Sequence, residues 1–286
     1  MSALIVFGSI NVDYVAQVNR LPGPGETVKT DAYEALPGGK GANQALAARR
    51  NGAGVTMVGA VGDDGLGRVS LGRLREEGVA LDTIATLPGA SGLALIAVDR
   101  KGENQIVVIS GANALAQAVQ IPPMGAGDVL VTQNEVDWTQ TAAAHALAKA
   151  AGVRVVHNAA PAHAMGADEL ANIHVLVVNE HELALAVPAV EQPAAQAEAL
   201  LAQGVGAVVL TLGAAGATCV EAGQEPLHID AVPAHVVDTT GAGDAFVGAL
   251  SAALARGEPL DQCLALANIY AAKVCSVLGA QTPVTT

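Results

Sequence analysis

Asp238-Thr239-Thr240-Gly241-Ala242-Gly243-Asp244-Ala245-Phe246 is the stretch from which fold and chemistry can both be read. Beyond it, Phe246, Val247, Leu250 and Leu254 recur at helical spacing, so the glycines open a helix. The first amides of a helix lack partners within it and carry partial positive charge. Gly241 and Gly243 have no side chains, so an anion can come close to those amides. Asp244 sets a carboxylate beside those amides. In a phosphoryl transfer it would accept the proton of an attacking hydroxyl while the amides hold the charge developing on the phosphoryl oxygens. An ordinary helix start with a solvated aspartate reads the same way, and these residues alone do not choose between the two.

Outward from this helix, short apolar runs alternate with helical stretches. Segments 3–8, 55–61, 128–133, 153–158, 174–179 and 207–212 read as strands. Segments 41–51, 66–77, 139–151, 192–203, 241–256 and 259–278 read as helices, with Pro259 in a first turn and Gly257 and Gly279 at stops. Most of the strand runs lack polar alternation, as strands covered on both faces do. The expected fold class is α/β: a doubly wound, mainly parallel sheet flanked by helices, in a single domain over residues 1–286.

Two stretches break the rhythm. Residues 14–36 and 91–110 carry extended runs and turn signals with no helix between them, and are expected to pair into a small β-sheet lid. Along one run Leu93, Leu95 and Ala97 share a face and Ala94, Ile96 and Val98 the other; Ile106 and Val108 likewise oppose Val107 and Ile109. One apolar face would close over a substrate. With no surplus helix near the other, a homodimer through the lid is expected to cover it.

Composition narrows the partners. The chain has 286 residues, 51% of them hydrophobic but only 2% aromatic, so its core must be Ala, Val, Leu and Ile. A net charge of −13 argues against nucleic acid and anionic membrane. Any phosphate must then be held by backbone amides, a cation or a few placed lysines. Cys219, Cys263 and Cys275 form no CxxC pair and read as thiols of a reducing compartment. No signal peptide and no membrane-length apolar run is recognisable, so a cytoplasmic protein is expected.

Four further constellations fall at strand ends or helix starts. Gly8-Ser9-Ile10-Asn11-Val12-Asp13 follows the first strand, where open α/β sheets bind ligands, and Asn11 and Asp13 share a face suited to adjacent sugar hydroxyls. Gln133 and Glu135 repeat that spacing. Pro37-Gly38-Gly39-Lys40-Gly41-Ala42-Asn43-Gln44-Ala45 opens another helix, with Lys40, Asn43 and Gln44 as donors; it fits neither a P-loop nor a dinucleotide fingerprint. Asn179-Glu180-His181-Glu182 offers hard oxygens for Mg²⁺ through its water shell, and equally an N-cap. Thr211-Leu212-Gly213 offers a hydroxyl and an amide to phosphate, or is merely a turn.

These motifs resemble the ribokinase, or PfkB, family of carbohydrate kinases over nearly the whole chain. Residues 238–246 look like the family's C-terminal signature and Gly38-Gly39-Lys40-Gly41-Ala42-Asn43-Gln44-Ala45 like its N-terminal one; Gly102-Glu103-Asn104 and Gly111-Ala112-Asn113 point to its ribokinase branch. The resemblance implies ATP as co-substrate and a neutral sugar, most simply ribose, as acceptor. Asp244 would be the base and Gly241, Ala242 and Gly243 the anion hole. Asn11, Asp13, Gly39, Lys40, Asn43 and Glu135 would face the sugar. Asn179, Thr211, Gly213 and Asn268 would serve the nucleotide, Glu182 a water-bound Mg²⁺, and Asp238 and Thr240 a monovalent cation, K⁺. Lid-to-lid pairing is implied as well. The segment 275–283 departs from the pattern at Val277 and Pro283, and Thr286 comes sooner than the family's usual end. A kinase for a nucleoside or another neutral sugar is the nearer rival; a sugar-binding regulator without activity would be expected to lose Asp244 or the glycines, and both are intact.

Overall fold

In the computed structural model, which describes residues 2–284, the apolar runs do become strands of one sheet. In chain order the elements are β1 (Leu4–Phe7), β2 (Asn11–Gln17), β3 (Glu34–Gly38), α1 (Lys40–Arg50), β4 (Val55–Gly62), α2 (Gly67–Glu76), β5 (Ile84–Leu87), β6 (Gly92–Val98) and β7 (Asn104–Ile109). Then come β8 (Val129–Gln133), α3 (Trp138–Ala150), β9 (Arg154–Asn158), α4 (Ala167–Leu170), β10 (Val175–Asn179), α5 (Glu180–Ala186) and α6 (Pro193–Ala202). The chain closes through β11 (Ala207–Thr211), β12 (Ala217–Glu221), β13 (Leu227–Ile229), α7 (Ala242–Ala255) and α8 (Leu260–Val274). The nine-stranded sheet has the order β13-β12-β11-β10-β9-β8-β1-β4-β5, parallel except where β12 and β13 pair antiparallel at one edge.

Strand side chains alternate between faces, and here both faces are covered. Leu4, Val6, Val129 and Val131 pack with α1, α7 and α8, while Ile5, Phe7 and Leu130 pack with α3. That is why the strand sequences are continuously apolar. Helices α1 and α7 meet so closely that a Cβ on Gly248 would lie 2.5 Å from the Cβ of Ala47.

A second sheet of four strands, β3-β2-β6-β7, forms the lid. It starts at Asn11, three residues before the expected boundary, so Asn11 and Asp13 belong to a lid strand and not to the end of β1. The expectation that no helix lies near the lid is also corrected: α2 packs against β3 and touches β2. β7 nonetheless remains exposed along its whole length.

Three strands (β5, β12 and β13) and two short helices (α4 and α5) go beyond the segments read from the sequence. β5 and β13 are short edge strands with few fully buried side chains, and so carry little apolar signal. The last helix ends at Val274, not 278, because the carbonyl of Cys275 accepts from the backbone N–H groups of Val237 and Asp238 at 2.8 and 3.2 Å, tying the chain end to the loop before α7. Among the described residues no helix is long and apolar enough to cross a membrane.

Candidate active site

The carboxyl ends of β8, β9, β10 and β11, the starts of α1 and α7, and the underside of the lid enclose two adjoining cavities. The larger, about 630 Å³, is walled by Asn11, Asp13, Gly39, Lys40, Asn43 and Glu135 below the lid side chains Ala94, Ile96, Ile106 and Val108. The smaller, about 170 Å³, takes in Asn179, Glu182, Thr211 and Gly243. Asp244, Gly241 and Lys40 border both. A group bound in one cavity would thus meet a group bound in the other at Asp244.

Why Asp244 stands there follows from local structure. Gly241 caps α7 in a left-handed conformation (φ 76°), and its missing Cβ leaves room for Ala280, whose own Cβ would otherwise be 2.3 Å away. A Cβ on Gly243 would meet nothing within 4 Å, so the helix start is open to a ligand. Asp244 itself is only 8% exposed, and both of its oxygens are held. Oδ2 accepts from Asn43 Nδ2 at 2.9 Å and Oδ1 from Gln44 Nε2 at 3.0 Å. Gln44 is fixed in turn, donating to Asn158 Oδ1 at 3.1 Å and accepting from Gln133 Nε2 at 2.7 Å. Gln133 is therefore buried support for Gln44, not the hydroxyl ligand that its pairing with Glu135 suggested.

Close backbone approach explains the N-terminal glycines. A Cβ on Gly39, at φ 90°, would sit 2.7 Å from the Asn11 nitrogen, and one on Gly38 would strike the Asp13 carboxylate. The glycines thus press the start of α1 against β2. Glu135 accepts from the Ser9 hydroxyl and from the backbone N–H of Lys40 at 3.2 Å, and Asn113 Nδ2 donates to Asn11 Oδ1 at 2.7 Å.

Three carboxylates, Asp13, Glu135 and Asp244, share the larger cavity with Lys40. Burial, then Glu135 and Asp244, push the Asp13 carboxyl up to about 6 against the opposing pull of Lys40. Burial alone would lower Lys40, but Asp244, Glu135, Glu182 and Asp13 outweigh it and hold the ammonium above its ordinary value. Burial raises Glu182 despite the hydrogen bond it accepts from Asn179. Lys40 is thus a charged cation in an otherwise acidic site.

Other anticipated residues lie further out. Asn179 and Glu182 form a reciprocal cap, each backbone N–H donating to the other's side chain at 2.8 Å, so the capping reading describes them, and both also line the smaller cavity. Asp238 accepts from the backbone N–H groups of Thr240 and Gly279, both at 2.9 Å; burial opposes these bonds, yet they keep its carboxyl below the ordinary value. Thr240 lines the larger cavity. Gly213 is exposed and Asn268 donates to the carbonyls of Ile229 and Asp230; neither borders either cavity. Sequence reasoning passed over Asn158, and took Gln281 only as part of the segment 275–283, not as the side chain that donates to Asn43 Oδ1 at 2.8 Å. A lone Asn at the end of an apolar strand was the available signal for Asn158; Gln281 had none.

The model of the pfkB family carbohydrate kinases matches residues 1–286. The chain belongs to that family. Its relatives include ribokinases of Schizosaccharomyces pombe, 37% identical over 98% of this chain and 92% of that one, and of Bacillus subtilis, 36% identical over 98% and 95%. The structure of Arabidopsis thaliana ribokinase complexed with ribose and ATP superposes with a TM-score of 0.88 at 30% identity, covering 98% of this chain and 95% of that one.

Proposed function

We propose that this chain transfers the γ-phosphoryl group of ATP to the 5-hydroxyl of D-ribose. The observation that carries the reading is that Asp244 and Gly241 border both cavities, one walled by carboxylates and amides and the other opening on a helix start. Carboxylates and amides suit the vicinal hydroxyls of a neutral sugar, and unpartnered helix amides suit a phosphate. In this reading Asn11, Asp13, Gly39, Lys40, Asn43 and Glu135 hold the sugar, and Asn179, Thr211, Gly213 and Asn268 serve the nucleotide. Asp244 takes the proton of the attacking hydroxyl, and Gly241, Ala242 and Gly243 neutralise charge on the phosphoryl oxygens.

Magnesium would be held mostly by phosphate oxygens and water, with Glu182 touching its water shell. The donor set fits: one Glu182 oxygen is left free by the cap, and no cluster of three or more His, Cys, Asp or Glu occurs among the described residues. Bound there, the ion supplies charge neutralisation to the phosphates. Asp238 and Thr240 would hold a potassium ion; Asp238 fits because it stays charged and keeps further lone pairs after accepting two amides. The enzyme is read as a cytoplasmic homodimer joined through the lid.

A nucleoside acceptor is disfavoured because, among the described residues, no aromatic ring lines the larger cavity. An ATP-consumption assay over pentoses, hexoses and nucleosides tests the reading. The highest kcat/KM is expected for D-ribose, and a clear preference for any other acceptor overturns it.

A further inference from the structure

A chain of buried polar groups runs behind the sugar cavity and ends in its wall. The register of β8 on β9 places Thr132 opposite His157 and Gln133 opposite Asn158. Side chains alternate, so Gln133 and Asn158 face α7 and serve Asp244, whereas Thr132 and His157 face α3. There Thr132 Oγ1 lies 2.8 Å from His145 Nε2 and 2.9 Å from His157 Nδ1, and His157 Nε2 lies 3.0 Å from Asn134 Oδ1. Trp138 packs edge-on against both histidines. Asn134 lines the larger cavity beside Glu135.

The direction of every bond in this chain can be deduced. The carbonyl of Pro161 only accepts, so the amide group 3.0 Å away from it is the Asn134 NH₂. Asn134 Oδ1 must then accept, which puts a proton on His157 Nε2. Both histidines are buried without an acid at hand, and burial holds His145 down to about 4 and His157 well below its ordinary value, so both are neutral. Neutral His157 accepts at Nδ1 from the Thr132 hydroxyl, and that oxygen accepts from His145 Nε2–H. The sequence His145 → Thr132 → His157 → Asn134 is a one-way relay of donors.

At its end the Asn134 NH₂ keeps a second N–H with no protein partner among the described residues. The cavity it lines is rich in groups that only accept: Asp13, Glu135 and Asp244. A sugar hydroxyl that donates to a carboxylate still has lone pairs to satisfy, and Asn134 supplies a neutral, orientated donor for them beside Glu135.

We propose that Asn134 is a further acceptor-binding residue, donating to a sugar hydroxyl, and that His157 is the positioning residue that fixes its amide. The proposal rests on the sugar-kinase reading above. Asn134→Leu raises KM for the sugar about tenfold, the loss of one neutral hydrogen bond, with KM for ATP and kcat within about twofold of wild type. His157→Leu raises the sugar KM by about threefold to tenfold, and His157→Gln, whose amide nitrogen can replace Nε2–H, recovers most of it. Because His157 acts through Asn134, the double leucine variant is no worse than Asn134→Leu. Should Asn134→Leu not fold, Asn134→Ala gives the same reading at a half-exposed position. An unchanged sugar KM in the Asn134 variants overturns the proposal, and so do fully additive effects or equal loss of affinity for ATP. Wild-type turnover of ribose is measured first. If it is absent, the ribose reading has failed on its own, and the variants are compared by calorimetry with whichever neutral sugar wild type binds.

Discussion

Asn43, in the first turn of α1, donates through Nδ2 to Oδ2 of Asp244, in the first turn of α7, at 2.9 Å across 201 positions of sequence. Gln44 donates to the other oxygen, so two consecutive residues of one helix start grip the carboxylate of another. Each oxygen keeps a further lone pair, so the carboxylate is held in orientation yet can still accept a hydrogen bond from a ligand. Asn43 is held from behind by Gln281, whose backbone carbonyl accepts from Arg50 at 2.8 Å. The motif near residue 40, the motif near 244 and the chain end thus form a single hydrogen-bonded unit.

For Asp244→Asn, loss of the proton acceptor is expected to lower kcat by roughly 10²–10⁴-fold, with ATP binding and the thermal midpoint little changed. Single-turnover kinetics with saturating ATP and ribose measure it. Near-normal kcat would remove Asp244 from the mechanism.

Asp13 ties substrate affinity to pH. With its carboxyl at about 6, kcat/KM for the sugar is expected to fall below pH 6 as the acceptor protonates, about tenfold per unit at the steepest. Stability moves oppositely. Between 3.8, its ordinary value, and about 6 the native state binds more protons than the unfolded chain, so stability is lost as pH rises through that window. Asp13→Asn should therefore weaken sugar binding yet raise the thermal midpoint at pH 8, by the equivalent of about 1–3 kcal/mol, with no gain at pH 4. Midpoints of both proteins across that range decide it.

Potassium is expected to raise turnover, because a cation beside Asp238 would order the loop that leads into the 241–243 amides. Rates in potassium, sodium and choline buffers of equal ionic strength measure the effect, and Asp238→Ala should abolish the difference. Equal rates in all three buffers for the unaltered enzyme count against the site.

The lid's outward face predicts the assembly. Ile96, Ile106, Ala94 and Val108 line the cavity, which leaves Leu95 (43% exposed), Val107 (59%) and Ile109 (41%) on the opposite face of the same strands. A dimer of about twice 28.4 kDa is expected by light scattering at micromolar concentration. Leu95→Asp or Val107→Asp should yield monomers, whereas a wild-type monomer or an unaltered dimer in both variants would refute lid pairing.

The parallel core and the glycine-opened start of the helix that carries Asp244 were legible in local sequence. Runs such as Leu4–Phe7 and Val175–Asn179 are apolar at every inward position, which only a sheet covered on both faces explains. The glycines before Asp244 mark a helix start open to an anion because local backbone geometry demands them. What surrounds Asp244 was decided by tertiary structure alone. Asn43, Gln44, Asn158 and Gln133 meet there because strand register and the α1–α7 packing carry them together, and no local pattern encodes a contact over 200 residues. The same holds for Asn11 and Asp13, whose place in a lid strand depends on pairing with β3 and β6. Local sequence sets which face of an element is apolar; which polar side chains then find one another depends on how those faces pack.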